Sequence, residues 1–177
     1  MVRLGPVLPA AAFCLAFLTA GCGQDAPKRT ILDAAAVYAD HEGLLQSIRA
    51  AYPGPYEDFT RIPARDPADA NRMDADFLKF LREDIPVEFI DFFPIGDSGK
   101  DELDVVLWRY QSGRRWNTVS LVYFSMAMTF AEGEENMRAF DRCDEDVLDW
   151  LQRQSRSGAA SAFCHINDHW LAYQKVE

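Results

Sequence analysis

Two strand-length runs, 103–110 and 115–126, flank Ser112-Gly113, and this pairing constrains the fold more than any other feature of the chain. Joined through that turn, they form an antiparallel hairpin with Val106, Trp108, Val119, Leu121 and Tyr123 on one side. Leu103, Val105, Leu107, Val122 and Phe124 fall on the other. Both sides are largely apolar, whereas an antiparallel sheet with one solvated face alternates cleanly. Helices are therefore expected over both faces, the rival reading being that the second face is a binding surface.

The flanking segments supply the helices. Thr30 is placed to cap a helix running to about Ala51, with Ile31, Ala34, Tyr38, His41, Leu45, Ile48 and Tyr52 as one stripe. Pro53-Gly54-Pro55 ends it. Asp66-Pro67 starts a second helix, which carries Met73, Phe77, Phe80 and Leu81 inward and stops near Pro86. A first strand over 87–93 precedes the hairpin. A third helix is predicted over 134–153 from the spacing of Met137, Phe140, Val147, Leu148 and Leu151. A terminal hairpin closes the chain, with a strand at 162–166 and Asn167-Asp168 as its two-residue turn. The order ααβββαββ predicts an α+β fold, about five antiparallel strands with about three helices. With 49% hydrophobic residues and about 150 positions beyond the N-terminal segment, residues 30–177 form one domain with a substantial core.

The first two dozen residues have a different character. Arg3 gives a positive start, and positions 7–20 are apolar but too few to span a bilayer as a helix. The run ends in Leu18-Thr19-Ala20-Gly21-Cys22, which resembles the lipobox of bacterial lipoprotein precursors, with Thr19 where leucine is commonest. That resemblance implies a signal peptide over 1–21, cleavage between Gly21 and Cys22, and acyl chains, palmitate among them, on the Cys22 thiol. More than one chain at about 0.8 kcal/mol per buried CH₂ gives stable anchoring. Residues 22–29 then form the acylated cysteine and a short linker. The implied address is the bacterial cell envelope, lipid-anchored and facing the periplasm, with Gly23 favouring the outer over the inner membrane.

Two of the four cysteines remain after Cys14 and Cys22 are accounted for. In an oxidising compartment, Cys143 and Cys164 read as a disulfide, worth about 3 kcal/mol at their separation. Cys143 shares the apolar stripe of the predicted third helix, and Cys164 lies in the strand at 162–166, opposite Leu171 under the two-residue turn.

Candidate chemistry is sparse. His165, Asp168 and His169 are the candidates for a metal. A two-residue turn pairs Ile166 with His169 and His165 with Trp170, which sends the two histidines to opposite faces, so no metal or other cofactor is expected. His41 lies on the apolar stripe and reads as a core histidine. Gly96-Asp97-Ser98-Gly99 resembles the nucleophile signature of chymotrypsin-like serine proteases, but Lys100 follows it, and it reads as a loop. Asp97, Asp101, Glu102 and Asp104 lack Ca²⁺-loop spacing and read as solvated, as do Asp141, Asp144, Glu145 and Asp149 on an exposed helix face.

A net charge of −10, from 18 basic and 28 acidic residues, repels phosphate backbones and leaves no basic stripe for nucleic acid. The resulting expectation is a non-enzymatic binding module, tethered to a membrane and recognising an envelope protein or ligand. The alternatives are a hydrolase or metal-dependent enzyme using His41, His165 or His169, and a small-ligand binder on the aromatic face of Trp108, Tyr123 and Trp170.

Overall fold

The computed structural model describes residues 28–51, 58–63, 85–94, 102–125 and 136–177. The predicted second helix lies almost wholly outside them, as do the leader with Cys22 and the loop at 96–99. In chain order the elements are α1 (Ile31–Ala51), β1 (Thr60–Pro63), β2 (Phe89–Phe93), β3 (Glu102–Ser112), β4 (Arg115–Phe124), β5 (Met137–Phe140), α2 (Glu145–Gln154), β6 (Ala160–His165) and β7 (Trp170–Val176). The strands make one seven-stranded sheet ordered β1-β2-β3-β4-β7-β6-β5. Every neighbouring pair is antiparallel except β5 and β6, which run parallel. The mixed α and β character agrees with expectation, while the sheet gains two strands.

Thr30 starts α1 through a reciprocal cap. The Thr30 amide donates to the Asp33 carboxylate at 2.6 Å, and the Asp33 amide donates to the Thr30 hydroxyl at 3.4 Å. A second lock is long-range. The buried Gln174 of β7 accepts from the Ile31 amide at 2.9 Å, satisfying a first-turn donor that has no partner within the helix. Ile31, Ala34, Tyr38, Leu45 and Ile48 are buried against β4 and β7. His41 departs from the stripe. It sits at a kink with φ −131° and ψ 24°, half-buried, and the buried stripe resumes at Leu45.

The hairpin of β3 and β4 forms, but its register differs from the predicted one. Gly113 and Arg114 occupy the turn, with Ser112 paired to Arg115 and Gly113 at φ +64°. Glycine at the first central position, the only one with positive φ, is the II′ pattern, whose twist matches the strands. Between Val106 and Trp108 a bulge then takes one residue out of register. Leu103 and Val105 consequently share the helix-covered face with Trp108, Val119, Leu121 and Tyr123. Val106 turns to the opposite face, with Asp104, Val122 and Phe124.

The helix predicted over 134–153 is two elements. Asp144 takes an extended conformation and its carboxylate accepts from the Asp146 amide at 3.1 Å, so α2 begins only at Glu145. Residues Met137–Phe140 run instead as an edge strand beside β6. Both described helices lie on the same side of the sheet: residues of α1 and α2 share one core cluster with the inward residues of β2–β7. A smaller cluster of Val122, Phe124 and Leu171, with Phe163 and Tyr173 against it, occupies the other side.

Candidate functional site

The terminal hairpin decides where three candidate residues go. Its loop holds three residues, Asn167 to His169, because the Asn167 carboxamide oxygen accepts from the His169 and Trp170 amides at 3.0 and 2.9 Å. The Asn167 amide group also donates to the Tyr38 hydroxyl at 2.9 Å, tying the loop to α1. The register thus slips one position from the predicted two-residue turn. His165 pairs with Leu171, and Cys164 pairs with Ala172 rather than Leu171. Ala172 is small and buried beside the disulfide that joins Cys164 to Cys143, whose Cα atoms stand 5.0 Å apart.

The histidines do not converge on a site. His165 alternates with the buried Cys164 and so faces the other side of the sheet. The His169 ring stacks on Tyr123 at 5.6 Å, with Nδ1 3.0 Å from the Phe124 carbonyl oxygen. Asp168 is exposed at the tip, and His41 lies on α1. Among the described residues no group of three or more His, Cys, Asp or Glu is arranged to hold a metal ion.

The aromatic face of Trp108, Tyr123 and Trp170 is not an open surface, because α1 and its flank lie across it. Trp170 is fully buried, 5.5 Å from the Tyr38 ring and 5.4 Å from Tyr123. Arg49 covers Tyr123 at 5.0 Å and Arg29 covers Trp108 at 5.2 Å. This arrangement is structural: cations and an aromatic seal the core edge.

Two other places have the chemistry of a site. The first is an open groove of about 370 Å³ between β5 and α2. Phe140 and Trp150 form its apolar floor as an edge-to-face pair 6.0 Å apart. Arg138 lies over Phe140 at 4.8 Å, and Arg142 pairs with Asp144 at 2.5 Å. Asp146, Asp149, Trp150 and Arg153 recur at three-and-four spacing on α2 and line one wall. The disulfide fixes the loop that enters α2 to β6, which holds the two walls together.

Asp141, Asp144, Glu145 and Asp149, expected as one solvated helix face, are only in part on a helix, because Asp141 and Asp144 precede it. Asp141, Glu145 and Asp149 are exposed, as expected; Asp144 is half-buried and caps the helix, and Asp141, Asp144 and Asp149 line the groove. A single helix over 134–153 does not bring Arg138, Phe140 and Trp150 together as a group; the break before Glu145 does. The signal that separates them is the capping aspartate followed by two acids, Asp144-Glu145-Asp146.

The second place is on the sheet face away from the helices. Arg61 of β1 donates to both carboxylate oxygens of Asp91, at 2.6 Å each, and Asp91 is only 3% exposed. Asp104 of β3 stands directly opposite Asp91 in the cross-strand register, and Glu102 is its neighbour on the same face. Glu102 and Asp104 are half-buried, a correction to their reading as solvated. The Asp104 Oδ1 atom and Oγ of the fully buried Ser120 are sealed from solvent, and the Ser120 hydroxyl lies near enough to Asp104 to favour its ionised form. Burial pushes the Asp104 carboxyl up to about 7. The charges of Glu102 and Asp91 add to this, against the opposing pull of Ser120 and Arg61. Burial, then the Asp91 charge, pushes Glu102 up to about 7 as well. Across the face, burial and then Asp104 raise the Tyr173 phenol to about 12.

No protein-family model, curated protein or solved structure matches this chain.

Proposed function

We propose that the chain is a lipid-anchored protein of the bacterial cell envelope, held through Cys22, whose α+β domain is a non-enzymatic binding module. The observation that carries the binding reading is the groove between β5 and α2: an apolar floor of Phe140 and Trp150 under a rim of guanidinium and carboxylate groups. Its size falls in the range of ligand pockets, roughly 300–1,000 Å³, and its mixed rim suits directional polar contacts around a small apolar anchor. The address rests on the order of Arg3, the apolar run and Leu18-Thr19-Ala20-Gly21-Cys22. The Cys143–Cys164 bond supports it, since disulfides persist in oxidising compartments.

The two parts are tested separately. Cys22→Ser should leave an uncleaved, unacylated precursor, seen by mass spectrometry of the N-terminus. An acyl-free wild-type Cys22 would refute the anchor. A photoreactive residue in place of Asp149 should crosslink envelope material in living cells. The same residue in place of Trp116, exposed and outside the groove, should not. Equal labelling from both positions would remove the groove from the reading.

A further inference from the structure

We infer that Asp104 and Glu102 form a proton-operated latch on the second sheet face, closed when protonated and loosening the β2–β3 edge of the sheet when ionised. Asp91 and Asp104 are directly opposed across two antiparallel strands, a position where like charges destabilise the pair. Arg61 binds both oxygens of Asp91, which leaves Asp104 and Glu102 to be neutralised some other way. The Asp104 Oδ1 atom is sealed from solvent, and the neighbouring Ser120 hydroxyl only partly offsets the cost of an ionised carboxylate held so. A proton on Asp104 removes the repulsion with Asp91 and the uncompensated charge in one step.

The groups facing this pair are limited among the described residues. Arg61 comes from β1, Asp91 from β2, Ser120 from β4 and Tyr173 from β7. Lys175 of β7 is ion-paired with Glu177, and Arg109 of β3 lies over the Trp116 ring at 5.3 Å. Tyr173 stays neutral across the physiological range, so it adds no compensating charge.

The sign follows from linkage. The carboxyls sit at about 7 in the folded chain, above their ordinary values of 3.8 for Asp104 and 4.5 for Glu102. Their contribution to stability is thus fully present below those ordinary values and is lost as pH rises through about 7. The loss falls where the carboxylates are, between β2 and β3. The β6–β5–α2 side is held by the disulfide, and among the described residues no two half-buried acids oppose each other across its strands.

Hydrogen exchange on the full chain tests this, read as protection factors so that the intrinsic pH dependence of exchange cancels. Protection of β2 and β3 amides should fall by about thirtyfold between about pH 5.5 and about pH 8.5 for one such carboxyl, while β6 and β7 amides that exchange through local openings, identified by their insensitivity to urea, hold theirs. Asp104→Asn should flatten most of that fall, and Glu102→Gln part of it. An absent fall in β2 and β3 overturns the latch, as does an equal fall at the locally opening β6 and β7 amides or retention of the full wild-type fall by both variants. Should Asp104→Asn not fold, Glu102→Gln and a carboxyl-carbon titration of the wild-type chain decide. Either group titrating between about pH 6 and about pH 8 supports the latch, and both titrating below about pH 5 overturns it.

Discussion

Opening the Cys143–Cys164 bond perturbs the fold in a way whose size can be worked from the loop it closes. The cysteines are 21 positions apart, and in the chain-entropy model a loop of that length removes about 3 kcal/mol of freedom from the unfolded chain. Reduction should therefore cost about 3 kcal/mol. The double variant Cys143→Ala with Cys164→Ala should cost about 1 kcal/mol more, because Cys164 is fully buried and its sulfur leaves a small void. For a domain of this size such a loss lowers the melting temperature by about 6–12 °C. In urea, with a slope of about 2 kcal/mol/M, the midpoint should move down by about 1.5 M. The assay is urea unfolding of the oxidised chain, the reduced chain and the double variant, followed by tryptophan emission. Trp150 reports on α2, and the buried Trp170 reports on the sheet. A difference below about 1 kcal/mol between oxidised and reduced chains would refute the argument. So would ready alkylation of both cysteines in the native oxidised protein, since a disulfide presents no thiol to alkylate.

Three further outcomes are expected. Global stability should rise as pH falls from about 8 to about 5, because Asp104 and Glu102 bind protons more tightly in the folded chain; urea midpoints that increase with pH over that range would contradict their burial. Gln174→Leu should cost about 1–3 kcal/mol by stranding the Ile31 amide, whereas Gln174→Glu, which keeps an acceptor, should cost less; equal costs for both in thermal melts would mean that the helix-start contact is dispensable. Asn167→Ala removes the acceptor for the His169 and Trp170 amides and the donor to Tyr38, and should lower stability by about 1–3 kcal/mol in urea; an unchanged midpoint would mean that the loop does not set the register.

Much of the main core was legible because its signals are redundant. The α1 stripe, the Thr30 start and the two central strands each rest on several residues that agree. The cysteine pair was legible too, although through a predicted helix that begins later than expected. The misses fall where a single side chain arbitrates. Met137 and Phe140, three apart, fit a helical stripe as well as they fit a four-residue strand, and only the Asp144 cap separates the two. The terminal hairpin hinges on whether Asn167 folds back to accept from the His169 and Trp170 amides, a choice that shifts every later pairing by one.

The second face shows why such slips matter most at a site. Leu103-Asp104-Val105 alternates as a strand should, and the alternation assigns Asp104 correctly to the side away from Leu103 and Val105. Period-two patterning, however, gives a side and not an environment: a polar residue facing away from one core is solvated only if nothing packs there. Asp91 and Asp104 are thirteen positions apart with no motif between them. Their opposition exists only through the register of β2 on β3, in which Ile90 meets Val105 and Phe92 meets Leu103. The apolar residues on the main core face thus determine that register, and the register brings two acids together on the other face. A site made this way leaves no linear signature, because the residues that create it are not the residues that form it.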